Sequence, residues 1–140
     1  MGSKDQYLDY LRRVPLFSAC GGKELRRIAS LTFDTTAEPG TKIVQEGEPG
    51  HEFFLITDGT AVASLRGEKL ATFGPGDFFG EMSLVDQGPR SATVTAESKV
   101  SLLVLGEREF SALMDDVPAV GKKILRGVAG RLRRYQTASA

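Results

Sequence analysis

The sequence predicts a mainly β domain, a sandwich, barrel or jelly roll, flanked by helices at its N- and C-terminal ends. Three observations predict it. Glycine supplies 16 of the 140 residues, and glycine weakens regular elements while serving tight turns. Between Thr32 and Leu105 turn signals recur at short intervals: Pro39-Gly40, Pro49-Gly50, Asp58-Gly59, Gly74-Pro75-Gly76-Asp77 and Gly88-Pro89. They cut the chain into short β-favouring runs. At either end, apolar residues recur at helical spacing instead.

In chain order, Tyr7, Leu8, Leu11 and Val14 predict a first helix, stopped by Pro15. After Gly21-Gly22, residues Lys23 to Leu31 predict a second, with Leu25, Ile28 and Ala29 on one face. The expected strands are Ile43-Val44, Glu52 to Thr57, Thr60 to Leu65, Leu70 to Phe73, Asp77 to Phe79, Ala92 to Ala96 and Val100 to Leu105. No helical crossovers alternate with them, which excludes a parallel α/β fold. Phe110, Leu113 and Met114 mark a short amphipathic stretch, and Val120, Ile124, Val128, Leu132 and Tyr135 a longer one. Gly121, Gly127 and Gly130 each cost that last helix roughly 1 kcal/mol against alanine. It therefore needs a surface to pack on. Two compatible roles remain, a permanent cover for the strands or an element that docks and releases with ligand. The expected organisation is one domain over residues 1–140, helical over 5–31, β over 32–105, with C-terminal helices over 107–136.

Composition narrows the function classes. A chain of 140 residues makes about one domain and can bury a core without disulfides or a structural metal. Formal net charge is zero, so no overall field draws nucleic acid or membrane. Charge is uneven, however. From Val117 onward there are six Lys/Arg and no Asp/Glu, leaving −6 on the rest. That end is either a solvated basic face or a contact for an acidic partner, a membrane or a ligand. No apolar run approaches the roughly 18 residues of a membrane span, and no signal-peptide pattern opens the chain. One cysteine, Cys20, cannot pair internally, which suits a reducing, cytoplasmic setting. No direct nucleic-acid binding is expected, since no helix-turn-helix follows the strands.

Enzyme chemistry has little to stand on. His51 is the sole histidine, which excludes a His-rich metal centre, and Cys20 with His51 makes no convincing zinc site. A Ser-His-Asp arrangement would have to use His51 in the turn Pro49-Gly50-His51-Glu52, and no nucleophile elbow is present. Phosphate-loop and dinucleotide fingerprints are absent. The expectation is a non-enzyme without catalytic residues, metal or cofactor.

One segment departs from ordinary strand-and-turn sequence: Phe79-Gly80-Glu81-Met82-Ser83-Leu84-Val85-Asp86-Gln87-Gly88-Pro89-Arg90-Ser91-Ala92-Thr93. Gly80 permits a tight backbone and close ligand approach. Glu81 to Val85 fit about one helical turn, whose first amides are anion donors. Arg90 can pair bidentately with a phosphate, and Ser91 adds a donor. A carboxylate at Glu81, odd for phosphate alone, suits hydroxyls such as those of a ribose. Spacing alone leaves a second reading equally open, in which Glu81 and Arg90 form a structural ion pair and Gly80 is a plain turn.

The Phe-Gly-Glu segment with its Gly88-Pro89-Arg90-Ser91-Ala92-Thr93 tail resembles the phosphate-binding cassette of cyclic-nucleotide-binding domains. Such domains occur in protein kinase A regulatory subunits, catabolite activator proteins and cyclic-nucleotide-gated channels. The likeness extends to Val14-Pro15-Leu16-Phe17, to Ile43 through Gly50, to Phe53-Phe54-Leu55-Ile56 with Gly59, and to Gly74 through Glu81. It implies a β-roll, a double-stranded β-helix or jelly roll, with N-terminal helices and a C-terminal helix. It also implies that Arg90 neutralises the cyclic phosphate and Glu81 binds the ribose 2′-hydroxyl. Phe79, Gly80, Met82, Ser83, Ser91 and Ala92 complete the ligand set. Val62 and Met82 are placed to touch the purine, with core packing as the competing role.

The implied ligand is a cyclic purine nucleotide, cyclic AMP by preference. Cyclic GMP stays open, because a hydroxyl such as Ser91 occurs in both classes. In such domains the last helix moves with ligand, so Tyr135, or an arginine among Arg131, Arg133 and Arg134, is expected to cap the base. No output domain is legible, which leaves a longer protein or a protein partner to carry the effect. A ligand-free interaction module with the same fold is the competing function.

Overall fold

The structure, a computed structural model, describes the backbone of residues 3–139 and the side chains of 6–81, 83–84, 87–131 and 133. Two compact units are present. One is Leu31–Phe110; the other comprises the chain up to Ser30 and from Ser111 onward.

The first unit is built from two four-stranded antiparallel sheets. One has the order β1 (Phe33–Ala37), β8 (Val100–Gly106), β3 (Glu52–Asp58), β6 (Phe78–Phe79). The other runs β2 (Lys42–Val44), β7 (Thr93–Ala96), β4 (Ala61–Leu65), β5 (Glu68–Phe73). The result is the expected β-roll. The central pair β3 and β8 is buried on both faces, which is why its segments read as unbroken apolar runs rather than alternating ones. Phe54, Ile56, Leu102 and Val104 join one core cluster with Ala61, Ala63, Phe79 and Val94. On the opposite face Phe53, Leu55, Leu103 and Leu105 are fully buried. The register keeps these sets apart, with Phe54 opposite Val104 and Phe53 opposite Leu105. Phe53 stacks on Phe78 at 5.5 Å and meets Phe110 at 5.1 Å.

Strand β1 was not among the expected runs. Its first four residues are exposed and Phe33 is 53% accessible, so Phe33-Asp34-Thr35-Thr36 carries no burial period. Backbone pairing to β8 at the sheet edge makes it a strand. Strand β4 does alternate. Ala61 and Ala63 enter the core, while Val62 between them is half-buried on the other face. The two-residue turn joining β4 to β5 has Arg66 and Gly67 at positive φ, as a tight hairpin requires. The Glu46 carboxylate accepts the Arg66 N–H at 3.0 Å and the Thr93 hydroxyl at 2.9 Å. It thereby ties that hairpin to the start of β7.

The second unit contains α1 (Ser3–Arg12), a 3-10 turn (Pro15–Phe17), α2 (Gly22–Leu31) up to Ser30, the end of α4 (Glu107–Asp116) and α5 (Pro118–Ser139). Pro15 does more than stop the first helix, because it opens the turn that buries Leu16 and Phe17. Lys123 donates to the Pro15 carbonyl at 3.0 Å and to the Ser18 hydroxyl at 2.9 Å. Arg27 pairs with Asp116 at 2.8 Å. The three glycines do not break α5, which runs for 22 residues. Among the described residues no helix is long and apolar enough to cross a membrane.

Candidate functional site

Strand β6 delivers the chain into Gly80, and Glu81–Asp86 forms the short helix α3. Gly80 stands at φ +93°, a left-handed conformation that glycine adopts without penalty. It also stands against other atoms. A methyl built there would lie 2.7 Å from the Glu52 carbonyl oxygen and 2.8 Å from Nη1 of Arg90. The close approach at Gly80 is thus made by the protein's own arginine and strand β3.

Arg90 is the centre of the site. It is only 7% exposed, rare for a guanidinium. Nη1 donates to the Gly80 carbonyl at 3.1 Å and Nη2 to the Glu52 carbonyl at 2.9 Å. The guanidinium carbon lies 5.8 Å from the Phe54 ring centroid, within reach of a cation–π contact. Phe54 stacks on Phe79, and Phe79 on Phe73. The backbone is fastened as firmly. The Arg90 N–H donates to the Glu48 carbonyl at 2.8 Å, and Gly47 N–H to the Arg90 carbonyl at 2.9 Å. An isolated bridge joins Pro49 to Pro89.

Electrostatically the arginine is a cation held away from water. Burial pulls its pKa below the ordinary guanidinium value, and the Glu52 and Glu81 carboxylates oppose that shift. It remains charged at neutral pH, as arginine in proteins does. Glu81 is itself 4% exposed. Among the described residues its Oε2 is buried without a hydrogen bond, while the residue is engaged by other interactions. The structure therefore brings Gly80, Glu81 and Arg90 into one buried polar cluster with a formal positive charge at its heart.

The other expected ligand residues are distributed less uniformly. Phe79 is buried in the aromatic stack, so its ring packs the core behind the arginine. Ser83 is 3% exposed. It lines a pocket of about 390 Å³ together with Gly50, His51, Gln87 and Glu107. Of the described expected residues, Ser83 alone lines that pocket. Ser91 is exposed and Ala92 half-buried, immediately before β7. Val62 faces away from the core cluster that holds Phe54 and Phe79. The side chains of Met82, Arg134 and Tyr135 lie outside the described residues. Sequence reasoning missed Gly50, Glu52 and Phe54. Gly50 reads as half of a Pro-Gly turn, Glu52 contributes a main-chain carbonyl that no side-chain pattern reveals, and Phe54 reads as core.

Comparison with known proteins shows what the whole chain resembles. The family model described as Cyclic nucleotide-binding domain matches residues 35–117. A cAMP-dependent protein kinase regulatory subunit of Yarrowia lipolytica is 37% identical over 116 residues, 81% of this chain and 31% of that protein. The chain therefore spans under a third of the length of that relative. Among solved structures, cAMP-bound PfPKA-R (141–441) superposes with a TM-score of 0.85 at 28% identity, covering 97% of this chain and 47% of that one. The Thermus thermophilus catabolite activator protein superposes with a TM-score of 0.78 at 31% identity, covering 89% of this chain and 61% of that one. With the family model matched over residues 35–117 on a roll of two four-stranded sheets, this chain belongs to the cyclic nucleotide-binding domain family.

Proposed function

We propose that this chain is a regulatory domain that binds cyclic AMP and transmits its presence without altering it. The observation that carries the proposal is the state of Arg90. A cation that is 7% exposed donates to two neutral carbonyls, and the nearby Glu52 and Glu81 carboxylates only partly offset its lost hydration. A cyclic phosphodiester supplies one negative charge, which a single guanidinium can meet bidentately. Glu81, a buried carboxylate in the field of that arginine, is the acceptor for the ribose 2′-hydroxyl. Ser83 and Ser91 flank the phosphate. The bound cyclic AMP of PfPKA-R supports the choice of base.

The protein works as a sensor, with no metal or cofactor, in the reducing compartment that a lone cysteine suits. Its effector is a partner protein or a further domain, and α5 carries the response to ligand. The test is calorimetry on the folded chain, stripped of copurified nucleotide. Cyclic AMP is expected to bind at micromolar Kd or tighter, cyclic GMP more weakly, and both are expected to be recovered unchanged. Absence of heat with either nucleotide refutes the proposal.

A further inference from the structure

Gly50 sits in an ordinary-looking turn, yet its surroundings are not ordinary. A methyl built on its Cα would lie 2.4 Å from Nε, 2.6 Å from Cζ and 2.8 Å from Cδ of Arg90. Those distances are far inside van der Waals contact. Gly50 has no positive φ, so its backbone does not demand glycine. The demand is steric and comes from one side chain. Gly80 shows the same feature, since its absent methyl would meet Nη1 of Arg90 at 2.8 Å. The guanidinium thus occupies the space that two side chains would otherwise take. From that position its two Nη groups reach the carbonyls of Gly80 and Glu52.

Gly50 is itself buried and also lines the pocket that contains Ser83. Its neighbours are tied to the arginine's backbone through Gly47 and Glu48. The turn and the arginine are therefore registered to each other by main-chain bonds. Neither backbone can slide to relieve a clash without breaking them. A side chain at position 50 requires the Arg90 side chain to shift, and the guanidinium's two carbonyl bonds stand in the way of that shift.

We infer that Gly50 is a positioning residue for the anion-binding arginine: its missing side chain is the slot that fixes where the Arg90 guanidinium meets ligand phosphate. The inference rests on the nucleotide-binding reading above. It concerns a residue that touches Arg90 rather than ligand.

The test is a double-mutant cycle on the full chain with Gly50→Ala, Arg90→Ala and the double variant. Thermal unfolding is read without ligand, and cyclic AMP affinity by calorimetry. Gly50→Ala is expected to lower the melting temperature and to weaken cyclic AMP binding at least tenfold. Adding Arg90→Ala is expected to raise the melting temperature of Gly50→Ala, because the clashing side chain is gone. In the Arg90→Ala background, Gly50→Ala should change affinity less than twofold. Should Gly50→Ala alone fail to fold, recovery of a folded double variant supports the inference equally. Two results overturn the inference: Gly50→Ala binding within twofold of wild type while Arg90→Ala does not, or a double variant no more stable than Gly50→Ala. If the wild-type chain binds no cyclic nucleotide, the nucleotide reading fails, and with it the ligand role of Gly50. The stability arm would then still report the Gly50–Arg90 contact separately.

Discussion

Replacing Arg90 by alanine separates what the arginine does for the fold from what it does for ligand. In the free protein the truncation removes two hydrogen bonds from a charged donor, at 3.1 and 2.9 Å, each contributing about 1.5–3 kcal/mol. It also removes the cost of burying a cation, several kcal/mol. These terms oppose, so the unfolding free energy should move by no more than about 2 kcal/mol. In the complex no such offset exists. A phosphate left unpaired in a desolvated site costs about 3–5 kcal/mol, or roughly 160- to 5,000-fold in Kd. Thermal unfolding with and without cyclic AMP reads both quantities. At a ligand concentration of about 1,000 times the wild-type Kd, binding adds about 4.1 kcal/mol. At about 2–4 °C per kcal/mol for a chain of this size, wild type should gain about 8–16 °C. At the same concentration Arg90→Ala should gain under about 5 °C. A variant that keeps a ligand-induced rise comparable to that of wild type would refute the argument.

Glu81→Ala should weaken cyclic AMP binding roughly ten- to 150-fold, the worth of one hydrogen bond to a charged acceptor. It should also bind cyclic AMP and its 2′-deoxy analogue alike, and calorimetry that still shows wild-type discrimination refutes the ribose role. Phe53→Ala empties a fully buried ring site between Phe78 and Phe110, and should cost about 3–5 kcal/mol in urea unfolding; a loss under about 1 kcal/mol contradicts the packing described. Burial chiefly, with Glu24 adding and Lys123 opposing, pushes the Cys20 thiol pKa up. Its thiolate fraction at pH 8 should therefore be below that of an ordinary thiol, and iodoacetamide should react more slowly than with glutathione. Alkylation should climb through a midpoint above the ordinary thiol value, and a midpoint below it overturns that reading.

The roll and the buried cluster of Gly80, Glu81 and Arg90 were legible because their signals are local. Each turn dipeptide and apolar run is a few residues long, and Gly80-Glu81 and Arg90 lie in one short segment of the chain. Strand β1 escaped because an exposed edge strand has no buried face to impose a period. The helix α5 survived its three glycines because packing decides helix stability in proteins more than propensity does. Val44 and Val62 read much alike in sequence, yet the two are not equivalent in space. Val44 packs on the core cluster, whereas Val62 is turned from it by the alternation of β4.

The sequence by itself determined the fold class and the family resemblance, and it singled out Glu81 and Arg90, since these depend on residue types at short spacing. Only the tertiary structure decided how Arg90 is held. Its partners are the carbonyl of Glu52, 38 residues away, the ring of Phe54 and the empty side of Gly50. A main-chain carbonyl is common to every residue type, and an absent side chain leaves no chemical signature. Their meaning therefore arises only when folding brings distant backbone segments to within contact of one guanidinium.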